Sequence, residues 1–276
     1  MRLYAIAVYL FLYVPIAVIA VFSFNAGRYA AQMQGFSTQW YGKALSNPFV
    51  TEALQTSATV AAISAVLATI AGTLAALALQ GVSGRPRMIL DALLYIAVMV
   101  PGIVIGIATL IALVTVFNWI NPVLAALWPL AEAAPQLKLG MGSLIAAHGL
   151  FSMALVVIIV RARVAGMDRS LIEASADLGA TPWGTFRQVT LPQISPAILA
   201  GFLLSFTFSF DDFIIAFFVA GSETTLPIYV FSSIRRGVTP EINAIGTMVL
   251  AVSLVMLIIA QTILQRGARR ANAGSA

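Results

Sequence analysis

The sequence predicts an all-α integral membrane protein with six transmembrane helices. Of its 276 residues, 61% are hydrophobic and 9% are charged, whereas roughly 25% of the residues of an ordinary soluble domain are charged. Apolar stretches of ~20 residues, long enough to cross the hydrocarbon core as a helix, recur along the chain. The basic residues flank these stretches instead of forming one patch. The net charge of +5 therefore indicates a membrane topology and no binding of nucleic acid.

Six apolar runs define the predicted spans. They lie at about residues 3–24, 53–79, 89–117, 143–160, 196–220 and 244–264. The first run is longer than the ~7–15 residues of a signal-peptide core, so we interpret it as a retained helix. The third contains Pro101-Gly102, which predicts one helix with a kink. We expect a single membrane domain over residues 1–276, in contact with lipid.

The distribution of basic residues predicts the orientation. One side of the membrane carries Arg2, Arg85, Arg87, the arginines of residues 161–187, Arg266, Arg269 and Arg270, and the other carries Arg28, Lys43, Lys138, Arg235 and Arg236. The first side has the larger share of the positive charge, and the richer side normally faces the cytoplasm. Both chain ends are therefore predicted to be cytoplasmic.

Residues 161–192, between the fourth and fifth spans, are predicted to leave the membrane on the cytoplasmic side. Ser170-Leu171-Ile172-Glu173 matches a capping box, in which the serine and glutamate side chains bond each other's backbone amides. A short helix should therefore begin at Ser170. Gly179 stands where a residue of left-handed conformation would end that helix.

A second short helix is predicted to follow directly. Thr181-Pro182 supplies an N-cap and a first-turn proline, and the helix should run through Trp183 and Phe186 to Leu191-Pro192. Two amphipathic helices on the cytoplasmic side are typical of two arrangements. They either lie on the lipid headgroups or form a knob on which a cytoplasmic partner docks.

A sequence motif favours the docking knob. Glu173-Ala174-Ser175, Gly179 and Val189-Thr190-Leu191-Pro192 resemble the EAA motif of permeases of binding-protein-dependent ABC importers: E-A-A, three residues, G, nine residues, I, one residue, L-P. Ser175 and Val189 depart from the motif by small changes. The resemblance implies the transmembrane-domain fold of a type I ABC importer. It also implies that residues 161–192, named here the coupling segment, insert into a groove of the ATPase subunit. The residues expected to form this knob are Glu173, Ala174, Gly179, Trp183, Leu191 and Pro192.

Other stretches resemble the permeases of spermidine/putrescine importers. These are Gly-Phe-Ser-Thr-Gln-Trp-Tyr at residues 35–41, Phe-Asp-Asp-Phe at residues 210–213, and the segments at residues 224–227 and 237–243. The resemblance implies polyamine cargo and a bacterial cytoplasmic (inner) membrane. The implied partners are an ABC ATPase, expected as a dimer, a second permease subunit and an extracytoplasmic solute-binding protein.

The sequence lacks the common motifs for ATP binding and for hydrolytic catalysis. The two lysines, Lys43 and Lys138, lie outside any G-x-x-x-x-G-K-[ST] phosphate loop. Neither H-E-x-x-H nor G-x-S-x-G occurs. The chain has no cysteine, and its one histidine, His148, is interpreted as a hydrogen-bonded interior side chain and not as a metal ligand. We therefore expect no enzyme and no cofactor on this chain, with ATP bound by a partner subunit.

Two adjacent carboxylates interrupt the apolar fifth span. Asp211 lies ~22 Å along a helix from Pro196, and a charge near the bilayer centre costs ~2.5–3.5 kcal/mol. One explanation is structural, with the pair satisfied by Arg235, Arg236 or backbone donors. The other is that an acid lines the pathway, where aromatic rings would add cation–π attraction for an ammonium group.

The predicted pathway residues are Asp211, Asp212, Phe210 and Glu241. Glu241 follows Thr239-Pro240 at the start of the sixth span, where helix capping alone would explain an acid. Two other functions stay open from the sequence. One is an ABC importer for another small solute, such as an opine, an amino-acid derivative or iron. The other is an ion-driven secondary transporter, although no inverted repeat is visible.

Overall fold

The computed structural model describes residues 2–29, 32–129, 134–168 and 170–273, and every regular element in these ranges is a helix. The helices are α1 (Arg2–Phe22), α2 (Gln39–Ser46), α3 (Pro48–Ala78), α4 (Gly84–Met99), α5 (Gly102–Leu127), α6 (Met141–Ala165), α7 (Ser170–Asp177), α8 (Pro182–Thr185), α9 (Leu191–Asp211), α10 (Ile214–Val219), α11 (Leu226–Arg236) and α12 (Pro240–Ala273). The predicted all-α class is confirmed.

Five helices of the described chain are long and apolar enough to cross a membrane. They span Leu3–Phe22, Pro48–Gly81, Gly102–Leu127, Met141–Ala165 and Pro182–Asp211, and Pro240–Val255 is a shorter apolar helix at the position of the predicted sixth span. The chain is therefore a multi-pass membrane protein. The count of six spans stays a prediction.

The third predicted span is two helices and not one kinked helix. Met99 ends α4, Val100 and Pro101 adopt extended ψ angles of 133° and 136°, and Gly102 begins α5. A proline pushes the residue before it out of the helical region, and it offers no amide for a helical hydrogen bond. The Pro101-Gly102 pair thus breaks the helix completely.

The chain divides into two compact units. The first comprises residues 1–55 and 224–262, and the second comprises residues 56–223 and 263–276. In the first unit, the fully buried Asn25 organises the loop after α1. Its side chain donates to the carbonyl oxygens of Tyr29 and Gln32 and accepts from the amides of Gly27 and Gln34.

The second unit is centred on the packing of α6 against its neighbours. An added Cβ on Gly72 of α3 would lie 2.7 Å from the Val156 side chain, and one on Gly201 of α9 would lie 3.4 Å from it. Glycine at position 72 therefore lets α3 approach α6 closely, whereas a Cβ at Gly201 would make an ordinary van der Waals contact. Ala76, Val156, Val157 and Val160 are buried together at this contact. On α4, Asp91 forms ion pairs with Arg161 of α6 and, at 3.9 Å, with Arg87.

Candidate functional site

The first helix of the coupling segment begins at Ser170, as predicted, with a different set of hydrogen bonds at its start. The Ser170 amide donates to Asp168 Oδ1 at 2.9 Å, so the role given to Glu173 in the capping box is wrong. The bond from the Ser170 amide, with one from the Ser170 hydroxyl, holds the pKa of Asp168 below its ordinary value. Glu173 and Ala174 are exposed on α7.

The end of α7 is the predicted left-handed glycine cap. Gly179 has a φ of +78°. The Gly179 amide donates to the carbonyl oxygen of Ala176 at 2.9 Å, and the Ala180 amide donates to that of Ser175 at 3.1 Å. These two bonds constitute a Schellman motif, which satisfies the last carbonyls of α7. The turn sets the direction in which α8 leaves.

The start of α8 also has the predicted cap. Thr181 Oγ1 accepts a hydrogen bond from the Gly184 amide at 3.1 Å, and Pro182 occupies the first turn. The hydroxyl groups of Ser175 and Thr185 hydrogen-bond at 2.9 Å and tie α7 to α8. Ser175 stands where the EAA motif has an alanine, so this bond depends on the departure from the motif.

Apolar side chains project from the coupling segment. Leu178 is 88% exposed and Trp183 is 69% exposed. The Trp183 ring stacks on Phe186 with 5.4 Å between the ring centroids. Large exposed apolar side chains grouped in this way indicate an interaction surface.

The second helix of the coupling segment does not end at Leu191-Pro192, in contrast to the prediction. Residues Phe186–Thr190 form a π-helical turn that leads directly into α9. The Leu191 amide donates to the Phe186 carbonyl oxygen, five residues back. Pro192 has no amide to donate, and the wider turn absorbs the resulting mismatch. The exposed Trp183 surface and the apolar α9 are therefore parts of one continuous helix, Pro182–Asp211.

The acidic pair lies at a break within the predicted fifth span, which is not one continuous helix. Asp211 is the last residue of α9, Asp212 is extended (φ −69°, ψ 120°), and Ile214 begins α10. Asp212 Oδ2 accepts a hydrogen bond from the Ala216 amide at 2.9 Å. A carboxylate thus satisfies an amide that the start of a helix leaves free. The structural explanation, in which backbone donors satisfy the acids, thus has one such donor for Asp212 in the Ala216 amide.

His148 of α6 adjoins Asp212. Its side chain is almost fully buried, and Nε2 lies 3.5 Å from Asp212 Oδ2. On the other side of the ring, Nδ1 hydrogen-bonds Ser209 Oγ at 2.7 Å, and Ser209 Oγ hydrogen-bonds Ser64 Oγ at 3.0 Å. The interpretation of His148 as a hydrogen-bonded interior residue is confirmed. Sequence reasoning missed both serines, because nothing in an apolar run marks which hydroxyls meet.

A cavity of about 650 Å³ opens at the helix break. Its lining combines the two carboxylates, the Thr207 hydroxyl and three phenylalanine rings with aliphatic side chains. These residues are Val98, Val100, Gly102, Phe151, Leu204, Thr207, Phe208, Asp211, Asp212, Phe213, Ile214 and Ile215. The rings of Phe151 and Phe208 are in contact, with 5.1 Å between their centroids. Acidic groups among aromatic faces suit an organic cation.

Two of the predicted pathway residues have other surroundings. Phe210 is not part of the cavity lining, and its ring stacks on Phe206 with 6.0 Å between the centroids. Glu241, in the first unit, accepts a hydrogen bond from Asn47 Nδ2 at 3.0 Å. Its place in the first turn of α12 matches the predicted helix start. Sequence reasoning missed Phe151 and Thr207, which lie among many similar apolar and hydroxyl residues.

A family match over most of the chain defines its class. Residues 68–272 match the family described as "Binding-protein-dependent transport system inner membrane component", and the chain belongs to that family. The chain is thus a membrane-spanning permease subunit of the ABC importer type. This membership sets aside the ion-driven secondary transporter.

Particular relatives are similar over most of the chain. The spermidine/putrescine transport system permease protein PotC of Escherichia coli (strain K12) is 36% identical over 258 residues, covering 93% of this chain and 90% of PotC. The putrescine transport system permease protein PotI of the same strain is 39% identical over 253 residues, covering 89% and 84%. A bacterial alginate ABC transporter, solved with its alginate pentasaccharide-bound periplasmic protein, has a similar fold. Its TM-score is 0.70 at 16% identity, covering 96% of this chain and 93% of that chain.

Proposed function

We propose that this chain is a pathway-forming subunit of a polyamine importer and that the cavity at the α9–α10 break binds the cationic cargo. The observation that carries the proposal is the meeting of Asp211, Asp212 and three aromatic rings in one cavity whose remaining lining is largely apolar. PotC and PotI, which are named for spermidine and putrescine transport, support the choice of polyamines.

The chemistry of the cavity fits a flexible chain with an ammonium group at each end. A carboxylate attracts an ammonium strongly where protein and lipid exclude water, and Phe208 and Phe213 add cation–π attraction. Aliphatic residues such as Leu204 and Ile214 suit the methylene groups between the charges. An anionic solute would meet only repulsion from Asp211. A neutral sugar would find few hydrogen-bonding groups.

The coupling segment supplies the connection to ATP. We propose that the exposed Leu178 and Trp183 insert into a groove of the ATPase and that the continuous helix from Pro182 to Asp211 carries the movement to the cavity. ATP binds on the ATPase dimer and not on this chain. A second permease subunit completes the pathway, and an extracytoplasmic binding protein delivers the cargo. The assembly lies in a bacterial inner membrane with both ends of this chain in the cytoplasm.

The proposal is tested by removing charge from the cavity at constant size. We expect Asp211→Asn and Asp212→Asn each to lower Vmax/KM for putrescine uptake by about 10- to 100-fold, the equivalent of one hydrogen bond to a charged group. The matched control is Glu223→Gln, because Glu223 lies in the same unit but does not line the cavity. Complex yield and binding-protein docking should be unchanged in all three variants.

Other outcomes decide between the remaining explanations. Normal uptake by both single variants and by the double variant would show that the acids serve structure alone. If Asp212→Asn lowers the yield of assembled complex and removal of Arg235 or Arg236 restores it, the acid is a partner of that arginine. If an opine, an amino-acid derivative or iron competes for uptake and putrescine and spermidine do not, the cargo is that solute and not a polyamine.

A further inference from the structure

A series of hydrogen bonds determines which nitrogen of His148 carries a proton. Ser64 Oγ donates to the Val60 carbonyl oxygen at 2.6 Å. A hydroxyl has only one proton to donate, so the 3.0 Å contact between the two serines must use the proton of Ser209. Ser209 then has only its lone pairs for His148. The assignment that satisfies all three contacts therefore has His148 Nδ1 donating its own proton to Ser209 Oγ across 2.7 Å.

The other ring nitrogen faces a carboxylate. With Nδ1 protonated, a neutral His148 presents the Nε2 lone pair to Asp212 Oδ2, 3.5 Å away. Nε2 is buried and makes no hydrogen bond to any described residue. Two electron-rich atoms at this distance repel each other, whereas a proton on Nε2 would convert the contact into an ion pair. The hydrogen bonds through Ser64 and Ser209 thus orient His148 so that Nε2 is the favourable position for a further proton.

We propose that His148 and Asp212 form a proton-binding pair in which the proton competes with cationic cargo for the Asp212 carboxylate. In the empty cavity, a proton on Nε2 balances the charge of Asp212. An arriving ammonium group replaces that balance, and the proton leaves His148. The inference rests on the proposed role of the cavity. It makes His148 a positioning residue, which acts on the cargo through the Asp212 carboxylate.

Few ionisable groups surround this pair. The only ionisable residue of α9 is Asp211 at its end, and Asp211 lines the cavity beside Asp212, which follows the helix. The sequences of α5 and α10 contain no ionisable residue.

The remaining neighbouring helices hold their charges at a distance. The only ionisable residue of α3 is Glu52, twelve residues before Ser64 and ~18 Å away along the helix. On α4, Asp91 pairs with Arg161, which lies thirteen residues, or ~20 Å, beyond His148 on α6. His148 is the one histidine of the sequence, and histidine is the residue type whose unperturbed side chain changes charge between about pH 5 and 8.

The test is the pH dependence of putrescine uptake by cells that express the complete importer. In the parent, KM should rise as the external pH falls, by at most about tenfold per pH unit, while Vmax changes less, because protonation removes binding-competent cavities. In His148→Gln, KM should become independent of pH over this range. The matched control is Ser152→Ala, a buried residue that lines the same small pocket as His148; it should keep the parent's profile.

The outcomes separate this inference from the proposed function. If Asp212→Asn impairs uptake but His148→Gln keeps the parent's pH dependence of KM, the proton pair is refuted and the cavity role stands. Normal uptake by both aspartate variants refutes the cavity role and the proton pair together. Should His148→Gln fail to assemble, Ser209→Ala decides the question. It removes the acceptor of the Nδ1 proton, so an unchanged pH profile would refute the pair.

Discussion

Replacing Gly179 with alanine is the most direct test of the coupling segment. A Cβ added at Gly179 would have no atom within 4 Å, so it would cause no clash. The φ of +78° is the sole obstacle, and a left-handed conformation costs a residue with a Cβ about 1–2 kcal/mol. That energy shifts the equilibrium away from the capped turn by about 5- to 30-fold. In molecules without the capped turn, α8 should leave α7 in another direction and displace Trp183.

The assay is the affinity of the purified permease assembly for its ATPase subunit, followed by ATP hydrolysis stimulated by cargo-loaded binding protein. We expect Gly179→Ala to weaken the ATPase affinity by up to about 30-fold, because only molecules with the native turn dock. Gly179→Asn should be milder, since asparagine tolerates the left-handed region. Gly166→Ala is the control: its φ is −93°, and its Cβ would meet only carbonyl oxygens at 3.7 and 3.9 Å.

Equal ATPase affinity of the Gly179→Ala and Gly166→Ala variants would refute the reasoning. It would show either that the turn keeps its shape despite the strain or that the coupling segment does not dock. The crosslinking of a cysteine at Trp183 to the ATPase would separate these two outcomes, because the chain has no other cysteine.

Two further predictions concern topology and packing. In the cysteine-free chain, Ser37→Cys should react with a membrane-impermeant thiol reagent in intact cells and Ser170→Cys should not; the opposite labelling would reverse the proposed orientation. Gly72→Ala should lower the melting temperature of the detergent-solubilised complex, because its Cβ would lie 2.7 Å from Val156 and overpacking costs about 1–3 kcal/mol. Gly142→Ala, with no atom within 4 Å, should melt like the parent.

Some structural features could be predicted from the sequence because their causes are local. The membrane class follows from composition, since no soluble fold could bury so large an apolar fraction. The turn at Gly179 and the cap at Thr181-Pro182 involve residues within a few positions of each other, so short motifs contain all the information they need. The EAA spacing added the docking role by resemblance, over a segment whose chemistry alone also allowed a helix lying on lipid.

Other features depended on contacts between residues far apart in the chain. A break such as the one at Asp212 persists when other groups satisfy the backbone that it frees, and here the Asp212 carboxylate does so after the chain has turned. Hydropathy treats such a carboxylate only as an interruption of an apolar run. The sequence also did not reveal the continuous helix from Pro182 to Asp211, because a proline normally predicts a helix boundary.

By itself, the sequence determined that this chain is a membrane protein with a capped coupling segment and two acids in an apolar span. Only the tertiary structure decided what those acids meet. Ser64 and Ser209 hydrogen-bond across 145 residues of sequence, and His148 comes from a third helix. Each of these residues is a single polar position in an apolar helix. Helix periodicity shows which face a residue occupies, but which faces meet depends on how the helices pack. Close packing at a glycine such as Gly72 helps to select that arrangement.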